Sequence, residues 1–298
     1  MNNNTILLKC NNVAKRIGNF CLSDIDFELE TGYILGIIGR NGSGKTTLLR
    51  LILGIYELEE KGEIELEGVC LKKDIVAYKR QIAYVLKESP FPMTFNALDV
   101  AKLYGHYYES FDIKKYDSFL KEFEVPQKVA LNKLSKGQQI RQQLAFALSY
   151  KAKLYVLDEP VANLDIEFRE IFHKYVREMS NNGAVLYVSH LIDELDQLAD
   201  YVLWLNASVS DEGVKVSTQR YFGTVDNLKE EYQILEVSRQ EARDISNEYI
   251  VGISERENHQ ELLVNISRNN LPENLKESSR YASLKELMYY TEKGVTDI

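Results

Sequence analysis

The chain has 298 residues, of which 45% are hydrophobic and 27% are charged, and its formal net charge is −9. This composition is typical of a globular protein that is long enough to bury a large core without disulfides or metal ions. The acidic balance argues against nucleic acid as the main partner, because neutralising a phosphate backbone needs a basic surface.

The cysteines and the N-terminus exclude further classes. Cys10, Cys21 and Cys70 lie far apart and form no CxxC pair, so we expect neither a disulfide framework nor a zinc site. The first ten residues lack the basic start and the apolar stretch of a secretory signal. Because no run of about 18 apolar residues occurs, we expect any membrane span to belong to another chain.

The first predicted elements begin a parallel α/β fold. Residues 24–30 alternate apolar and acidic side chains, as a half-buried strand does. Residues 33–38 are apolar without alternation, which is typical of a strand covered on both faces. A glycine-rich loop and a helix that ends at Gly54 follow, and this order of strand, loop and helix is the first unit of such a fold.

The next segments predict two subdomains. Residues 62–68 alternate again and indicate a strand in an antiparallel arrangement, and residues 82–86 indicate a short buried strand. Residues 96–129 instead carry helical periodicity with little strand character. We therefore expect a helical insertion in the α/β core, at about residues 90–150.

The remaining elements complete the predicted fold. Strands at 153–157, 183–188 and 200–205 alternate with helices at 165–179 and 191–198, which predicts a parallel sheet with helices on its faces. From residue 207 to residue 298 the pattern changes to short strands and one helix. We expect a main domain over residues 1–206 and a small C-terminal α+β appendage as an accessory region.

One segment after the second predicted strand matches GxxxxGK[ST], the phosphate-binding loop. Its glycines let backbone N–H groups turn inward to an anion, and the helix that begins there adds its positive dipole end. A glycine-rich turn before a surface helix is the plain alternative. The ATP-binding residues predicted here are Gly39, Arg40, Asn41, Gly42, Ser43, Gly44, Lys45, Thr46 and Thr47. Lys45 supplies a cation for the β and γ phosphates, and Thr46 supplies a hydroxyl for Mg²⁺.

Two carboxylates follow the strand at 153–157. The carboxyl end of a parallel strand is where ligands bind in open α/β sheets. Asp158 is suited to hold Mg²⁺, and Glu159 is suited to accept a proton from an attacking water. A solvated strand end is the alternative, and the phosphate-binding loop makes the functional interpretation the better one.

The segment Leu134-Ser135-Lys136-Gly137-Gln138 resembles the LSGGQ signature of ABC-type ATPases. Residues 162–165 resemble the D-loop of that family, and His190 resembles its switch histidine, which contacts the γ-phosphate. The resemblance covers roughly residues 4–230. It implies a P-loop NTPase core with a parallel sheet, an antiparallel β subdomain and an inserted helical subdomain.

The signature also has a physical interpretation. Ser135 and Gly137 precede a predicted helix, so a hydroxyl, free N–H groups and a helix dipole can together bind an anion. In the family, two subunits pack head to tail, so Ser135, Gly137 and Gln138 of one subunit close over the ATP held by the other. Taken alone, the segment is an N-capped surface helix.

Three positions depart from the family pattern. Lys87 and Glu88 stand where a glutamine normally contacts Mg²⁺; a charged lysine has only donors, so Glu88 is the expected metal ligand. Lys136 replaces a glycine, and its side chain either reaches phosphates of the partner or lies in solvent. Ile17 holds the place of the aromatic residue that stacks on adenine, and Phe20 is the nearest substitute.

The resemblance implies an ATP-binding and ATP-hydrolysing subunit of an ABC transporter, with ATP and Mg²⁺ as ligands. Its partners would be a membrane-spanning subunit and a second ATPase subunit, identical or related, with no nucleic acid. It would lie peripherally on the cytoplasmic side of the cell membrane. The LSKG variant, Glu88 and the segment 222–232 are similar to exporter-type subunits, including the bacitracin-resistance-like subfamily.

Two other functions are weighed against this one. A soluble ABC-type ATPase acting on a non-membrane partner would carry a long coiled-coil insertion or duplicated ATPase domains, and the sequence shows neither. A phosphate-loop kinase of another family would leave the LSKGQ segment and His190 unexplained.

Overall fold

The computed structural model describes residues 6–210, 213–243, 245–256 and 259–293. The chain forms two compact units. The first runs to His190 and includes Leu203–Phe222, and the second combines Leu191–Val202 with the segment from Gly223 onward. The domain boundary expected at residue 206 stays a prediction.

A large mixed sheet organises the first unit. Its strands are β1 (Ile6–Ile17), β2 (Phe20–Glu30), β3 (Ile34–Ile38), β4 (Glu63–Leu66), β5 (Val69–Cys70), β6 (Ile82–Val85), β7 (Leu154–Asp158), β8 (Ala184–Val188), β9 (Tyr201–Val209) and β10 (Lys215–Thr224). Among the described residues they follow the order β5-β4-β1-β2-β10-β9-β3-β8-β7-β6.

The sheet has a parallel part and an antiparallel part, as predicted. Strands β3, β8, β7 and β6 pair in parallel, so their carboxyl ends meet at one edge. Strands β2, β1, β4 and β5 pair antiparallel and form the β subdomain. Strand β3 is buried along its whole length, which confirms the interpretation of its unbroken apolar run.

Among the described residues, seven α-helices lie between these strands in chain order, and the last of them belongs to the second unit. They are α1 (Lys45–Ile52), α2 (Ile75–Arg80), α3 (Ala97–Tyr104), α4 (Ile113–Glu122), α5 (Lys136–Leu148), α6 (Ile166–Asn182) and α7 (Ile192–Leu198). Helices α3, α4 and α5 lie between β6 and β7 in sequence, which confirms the helical insertion. Aromatic side chains fill its interior, with the Phe146 ring centroid 5.1 Å from Phe91 and 5.8 Å from Tyr116.

The C-terminal elements form the predicted α+β structure. They are β11 (Gln233–Val237), β12 (Ile250–Glu255), β13 (Gln260–Val264) and β14 (Ser279–Tyr281), with helices α8 (Val225–Glu231), α9 (Arg239–Arg243), α10 (Glu273–Lys276) and α11 (Leu284–Lys293). The four strands form an antiparallel sheet in the order β12-β13-β11-β14.

Two long strands were not predicted. β1 and β10 contain many polar side chains, such as Asn11, Lys15 and Gln219, so neither has a sustained apolar alternation. Pairing with β2 specifies both strands instead: β1 pairs with it antiparallel as its neighbour in sequence, and β10 pairs with it in parallel from a distant part of the sequence. No helix in the described part of the chain is long and apolar enough to cross a bilayer.

Candidate functional site

The loop between β3 and α1 has the backbone of an anion cradle. Gly39, Gly42 and Gly44 have φ values of 148°, 75° and 91°, which L-residues with a side chain rarely adopt. A Cβ atom on Gly39 would also stand 2.5 Å from the carbonyl oxygen of Leu205. The glycines are therefore required by backbone conformation and, at Gly39, by space.

The interior of this loop holds polar groups that suit an anion. The Lys45 ammonium, which is buried, donates to the carbonyl oxygens of Gly39 at 2.6 Å and Arg40 at 3.2 Å. Ser43 is 1% exposed, and its hydroxyl has no hydrogen-bond partner among the described residues. Because an orphaned buried hydroxyl costs free energy, a bound oxyanion here would satisfy it.

A cleft of about 870 Å³ opens beside the loop, at the carboxyl edge of the parallel strands. The structure brings most of the predicted site residues to its wall. Those that line it are Phe20, Asn41, Gly42, Gly44, Lys45, Thr46, Thr47, Glu88, Asp158, Glu159 and His190.

Glu159 lies at the end of β7 in a strained conformation. Its φ is 52°, and it is 8% exposed. Its backbone N–H donates to the Val188 carbonyl at 2.9 Å, and its Oε2 accepts from the His190 N–H at 3.2 Å. The His190 ring places Nε2 3.2 Å from Glu159 Oε1. Strain of this kind in a non-glycine residue persists where neighbours fix it, and it is concentrated at functional sites.

Asp158 lies beside Glu159 and is half-buried. Burial and the neighbouring Glu159 carboxylate raise the pKa of Asp158, while the charges of Lys87 and Arg50 act in the opposite direction. The carboxylate therefore stands among competing charges, and a cation bound near it would favour its ionised form.

The loop after β6 supplies another wall of the cleft through Leu86, Lys87 and Glu88. Lys87 is the residue of this loop whose charge acts on Asp158. Glu88 lines the cleft as well, so its expected metal role stays a prediction. Gln143 of α5 holds this loop by hydrogen bonds to both backbone groups of Leu86.

The signature residues lie outside this cleft. Ser135 is the N-cap of α5: its hydroxyl accepts from the Gln138 N–H at 3.1 Å, and the Gln138 side chain accepts from the Ser135 N–H at 3.1 Å. Ser135 and Lys136 are exposed, and Gly137 is half-buried. This helix end therefore presents its N-terminal groups to solvent and is accessible to a second molecule.

The predicted D-loop packs directly against the signature. A Cβ atom on Gly137 would stand 2.8 Å from the carbonyl oxygen of Asn163, which explains the glycine sterically. Arg141 of α5 forms an ion pair with Asp165, and its guanidinium lies 4.2 Å from the Phe168 ring centroid. The two motifs thus share contacts within one chain.

Phe20, rather than Ile17, is the hydrophobic residue at the entrance of the loop. Ile17 is 41% exposed and is absent from the cleft wall, whereas Phe20 lines the cleft. The Phe20 ring lies against Gly44, with Cζ 2.8 Å from the place of a Cβ there. Of these two residues, Phe20 is therefore the candidate for the predicted contact with adenine.

Sequence reasoning missed three residues near the cleft: Arg50, Gln143 and Lys215. Arg50 donates to the Tyr56 hydroxyl at 2.7 Å and lines the cleft together with Lys215. No motif marks any of the three. Only for Gln143 did a weak signal exist, since a glutamine on the apolar face of a helix needs a buried partner.

The residues present fit a hydrated divalent cation. Mg²⁺ prefers oxygen ligands, and the cleft wall holds the Thr46 hydroxyl and the half-buried Asp158 carboxylate. With the orphaned Ser43 hydroxyl and the Lys45 ammonium, the donor set is that of a Mg²⁺–polyphosphate site.

The chain is similar to ABC transporter ATP-binding proteins in sequence. A family model described as ABC transporter matches residues 22–162. The ABC transporter ATP-binding protein YtrB of Bacillus subtilis is 29% identical over 231 residues, which cover 76% of this chain and 75% of that protein.

Two further matches extend the similarity. A Chlorella vulgaris protein named "Probable sulfate/thiosulfate import ATP-binding protein" is 34% identical over 212 residues, which cover 65% of this chain and 85% of that protein. A solved structure of an ATP-binding subunit of an ABC transporter has the same fold, with a TM-score of 0.65 and 22% identity. That match covers 75% of this chain and 92% of the solved one.

Proposed function

This chain belongs to the family of ABC transporter ATP-binding proteins, and from that premise we propose that it binds and hydrolyses ATP to power a separate membrane-spanning subunit. The observation that carries the proposal is the meeting of the Lys45 loop, Asp158, Glu159 and His190 on one cleft wall. The polyphosphate of ATP would occupy the loop, with its charge neutralised by Lys45 and the helix dipole of α1.

Glu159 is the proposed general base. Its carboxylate takes a proton from water as the water oxygen bonds to the γ-phosphorus. The bond between the γ-phosphorus and the oxygen that bridges the β and γ phosphates breaks, which leaves ADP and phosphate. The His190 backbone N–H holds the carboxylate through Oε2, and the His190 ring, with Nε2 3.2 Å from Oε1, would position the water. Thr46 and Asp158 would hold Mg²⁺, which supplies charge neutralisation of the phosphates when bound.

A second ATPase subunit is part of the proposal. Ser135, Gly137 and Gln138 lie on an exposed helix N-terminus and not in the cleft of their own chain. We propose that they close over the nucleotide of a partner subunit, identical or related. A peripheral location on the cytoplasmic face of the membrane, through a membrane-spanning partner, goes with this assembly.

The direction of transport and the subfamily stay predictions. The LSKG variant, Glu88 and the segment 222–232 favour export and a bacitracin-resistance-like subfamily, whereas one of the relatives is named as an import protein. The alternative function is that of an ABC-type ATPase acting on a non-membrane partner. Co-purification of the chain with its partner distinguishes the two functions.

Phosphate release from Mg-ATP by the purified full chain tests hydrolysis, and Lys45→Ala is the control that should abolish ATP binding. Hydrolysis by Lys45→Ala at the wild-type rate would contradict the site.

A second experiment tests the membrane-spanning partner. The chain should co-purify from detergent-solubilised membranes with a polytopic protein that stimulates its ATPase rate when added back. A stimulating partner without membrane spans would support the alternative.

A further inference from the structure

Lys215, at the start of β10, faces the phosphate-binding loop from a distant part of the sequence. Its backbone N–H donates to the Asn19 carbonyl at 2.8 Å, in register with Phe20 of β2. Its Nζ lies 3.4 Å from the carbonyl oxygen of Asn41 and 2.6 Å from the place of a Cβ on Gly42. The ammonium therefore stands directly over the bend of the loop.

The described part of the chain offers this ammonium no carboxylate partner. No Asp or Glu oxygen among the described residues forms an ion pair with Lys215, although the side chain is half-buried and lines the cleft. Its hydrogen bond to Asn41 is long and uses one of three N–H donors. A cation held in this way at an anion cradle lacks a counter-ion, and a phosphate oxygen would provide it.

We propose that Lys215 is a second nucleotide-binding lysine, which contacts the polyphosphate chain of the bound nucleotide on the Phe20 side of the loop. The proposal rests on the proposed ATP-binding function. Lys215 is in register with Phe20, and its ammonium lies against Asn41 and Gly42 of the loop, whereas the described residues give it no hydrogen bond or ion pair to Asp158 or Glu159. It therefore serves the part of the cleft away from the hydrolytic carboxylates.

This placement predicts the kinetic effect. A contact remote from the group that changes charge during hydrolysis stabilises ground state and transition state alike. Its loss should therefore raise KM more than it lowers kcat. ADP and ATP should both depend on the lysine, and adenosine, which has no phosphate, should not.

The test measures ATP, ADP and adenosine affinities of the full chain and of Lys215→Gln, Lys215→Arg and the surface variant Lys128→Gln. Losing one charge-assisted contact should weaken ATP and ADP binding by roughly 5- to 30-fold. Lys215→Arg should restore most of the loss, and Lys128→Gln should match the wild type. Wild-type ATP and ADP affinity in Lys215→Gln would overturn the proposal.

A second measurement uses the unmodified protein, in case Lys215→Gln folds poorly. The lysines are acylated with and without saturating ADP, and the acylated positions are identified by mass spectrometry. Protection of Lys215 with continued labelling of exposed Lys128 is expected. Equal labelling of Lys215 with and without ADP would refute its contact. If the wild-type chain binds no ATP at all, the proposed function itself fails, and that outcome is distinct.

Discussion

Gln143 fixes the backbone of Leu86 in both directions: its Nε2 donates to the Leu86 carbonyl at 3.1 Å, and its Oε1 accepts from the Leu86 N–H at 2.9 Å. Gln143 is 1% exposed and lies on α5, the helix that begins at the signature. Leu86 opens the loop that carries Lys87 into the cleft. One amide thus joins the signature helix to the cleft wall.

Replacing Gln143 by alanine should slow hydrolysis more than it weakens ATP binding. Two half-buried backbone groups lose their partner, which costs about 1–3 kcal/mol of folding stability and releases the loop of Lys87. The measurements are urea unfolding, ATP affinity and phosphate release.

The matched control for this change is Gln142→Ala on the same helix. Gln142 is fully buried and donates to the Tyr116 hydroxyl at 2.7 Å, within the helical insertion. We expect it to lower stability comparably without a selective loss of hydrolysis. Equal losses of hydrolysis in both variants would mean that Gln143 matters only for stability.

Replacing Glu159 by glutamine should preserve ATP binding and reduce hydrolysis by roughly 10²- to 10⁴-fold, because the amide cannot accept the proton of water. The variant should also accumulate as a dimer with ATP, as measured by light scattering. Hydrolysis by Glu159→Gln at the wild-type rate would assign the base elsewhere.

Replacing Gly137 by alanine should impair hydrolysis while one subunit still binds ATP. The added Cβ would meet the Asn163 carbonyl at 2.8 Å, so the signature or the D-loop must shift. Gly68→Ala is the control for a general loss of stability, because its φ of 77° strains an alanine there although a Cβ would have nothing within 4 Å. If the Gly137 variant lost ATP affinity as a monomer, the signature would act within its own chain.

The C-terminal unit should lose stability as the pH falls from 5 to 3. Glu286 is partly buried, which alone would raise its pKa, but hydrogen bonds from Arg280 and Ser283 lower that pKa from 4.5 to about 2. A carboxylate with a depressed folded-state pKa stabilises the fold above its unfolded pKa, and this stabilisation disappears as it is protonated. The loss by pH 3 is on the order of 1–2 kcal/mol.

Thermal unfolding of Glu286→Gln across this pH range checks the assignment, because the amide cannot titrate. Its stability should vary less with pH than that of the wild type, whereas the exposed Glu273→Gln variant should follow the wild type. Parallel pH profiles for wild type and Glu286→Gln would place the acid sensitivity at other carboxyl groups.

Much of the site could be predicted because its information is local. The loop needs glycines because single residues there have a positive φ, and β7 ends at Asp158, one residue before Glu159. Ser135 caps a helix through a bond that spans three residues. Each of these features depends on a short window of sequence, where chain geometry leaves few conformations.

Other features depend on residues that only folding brings together. Lys215 reaches Asn41 across 174 positions, and Gln143 reaches Leu86 across 57. Strand β10, without a clear apolar pattern, is specified by its pairing with β2. The sequence by itself thus determined the phosphate-binding loop, the strand-end carboxylates and the helix cap. The tertiary structure decided which remote cation and which remote amide lie beside them, because a long-range contact leaves no local periodicity in the sequence.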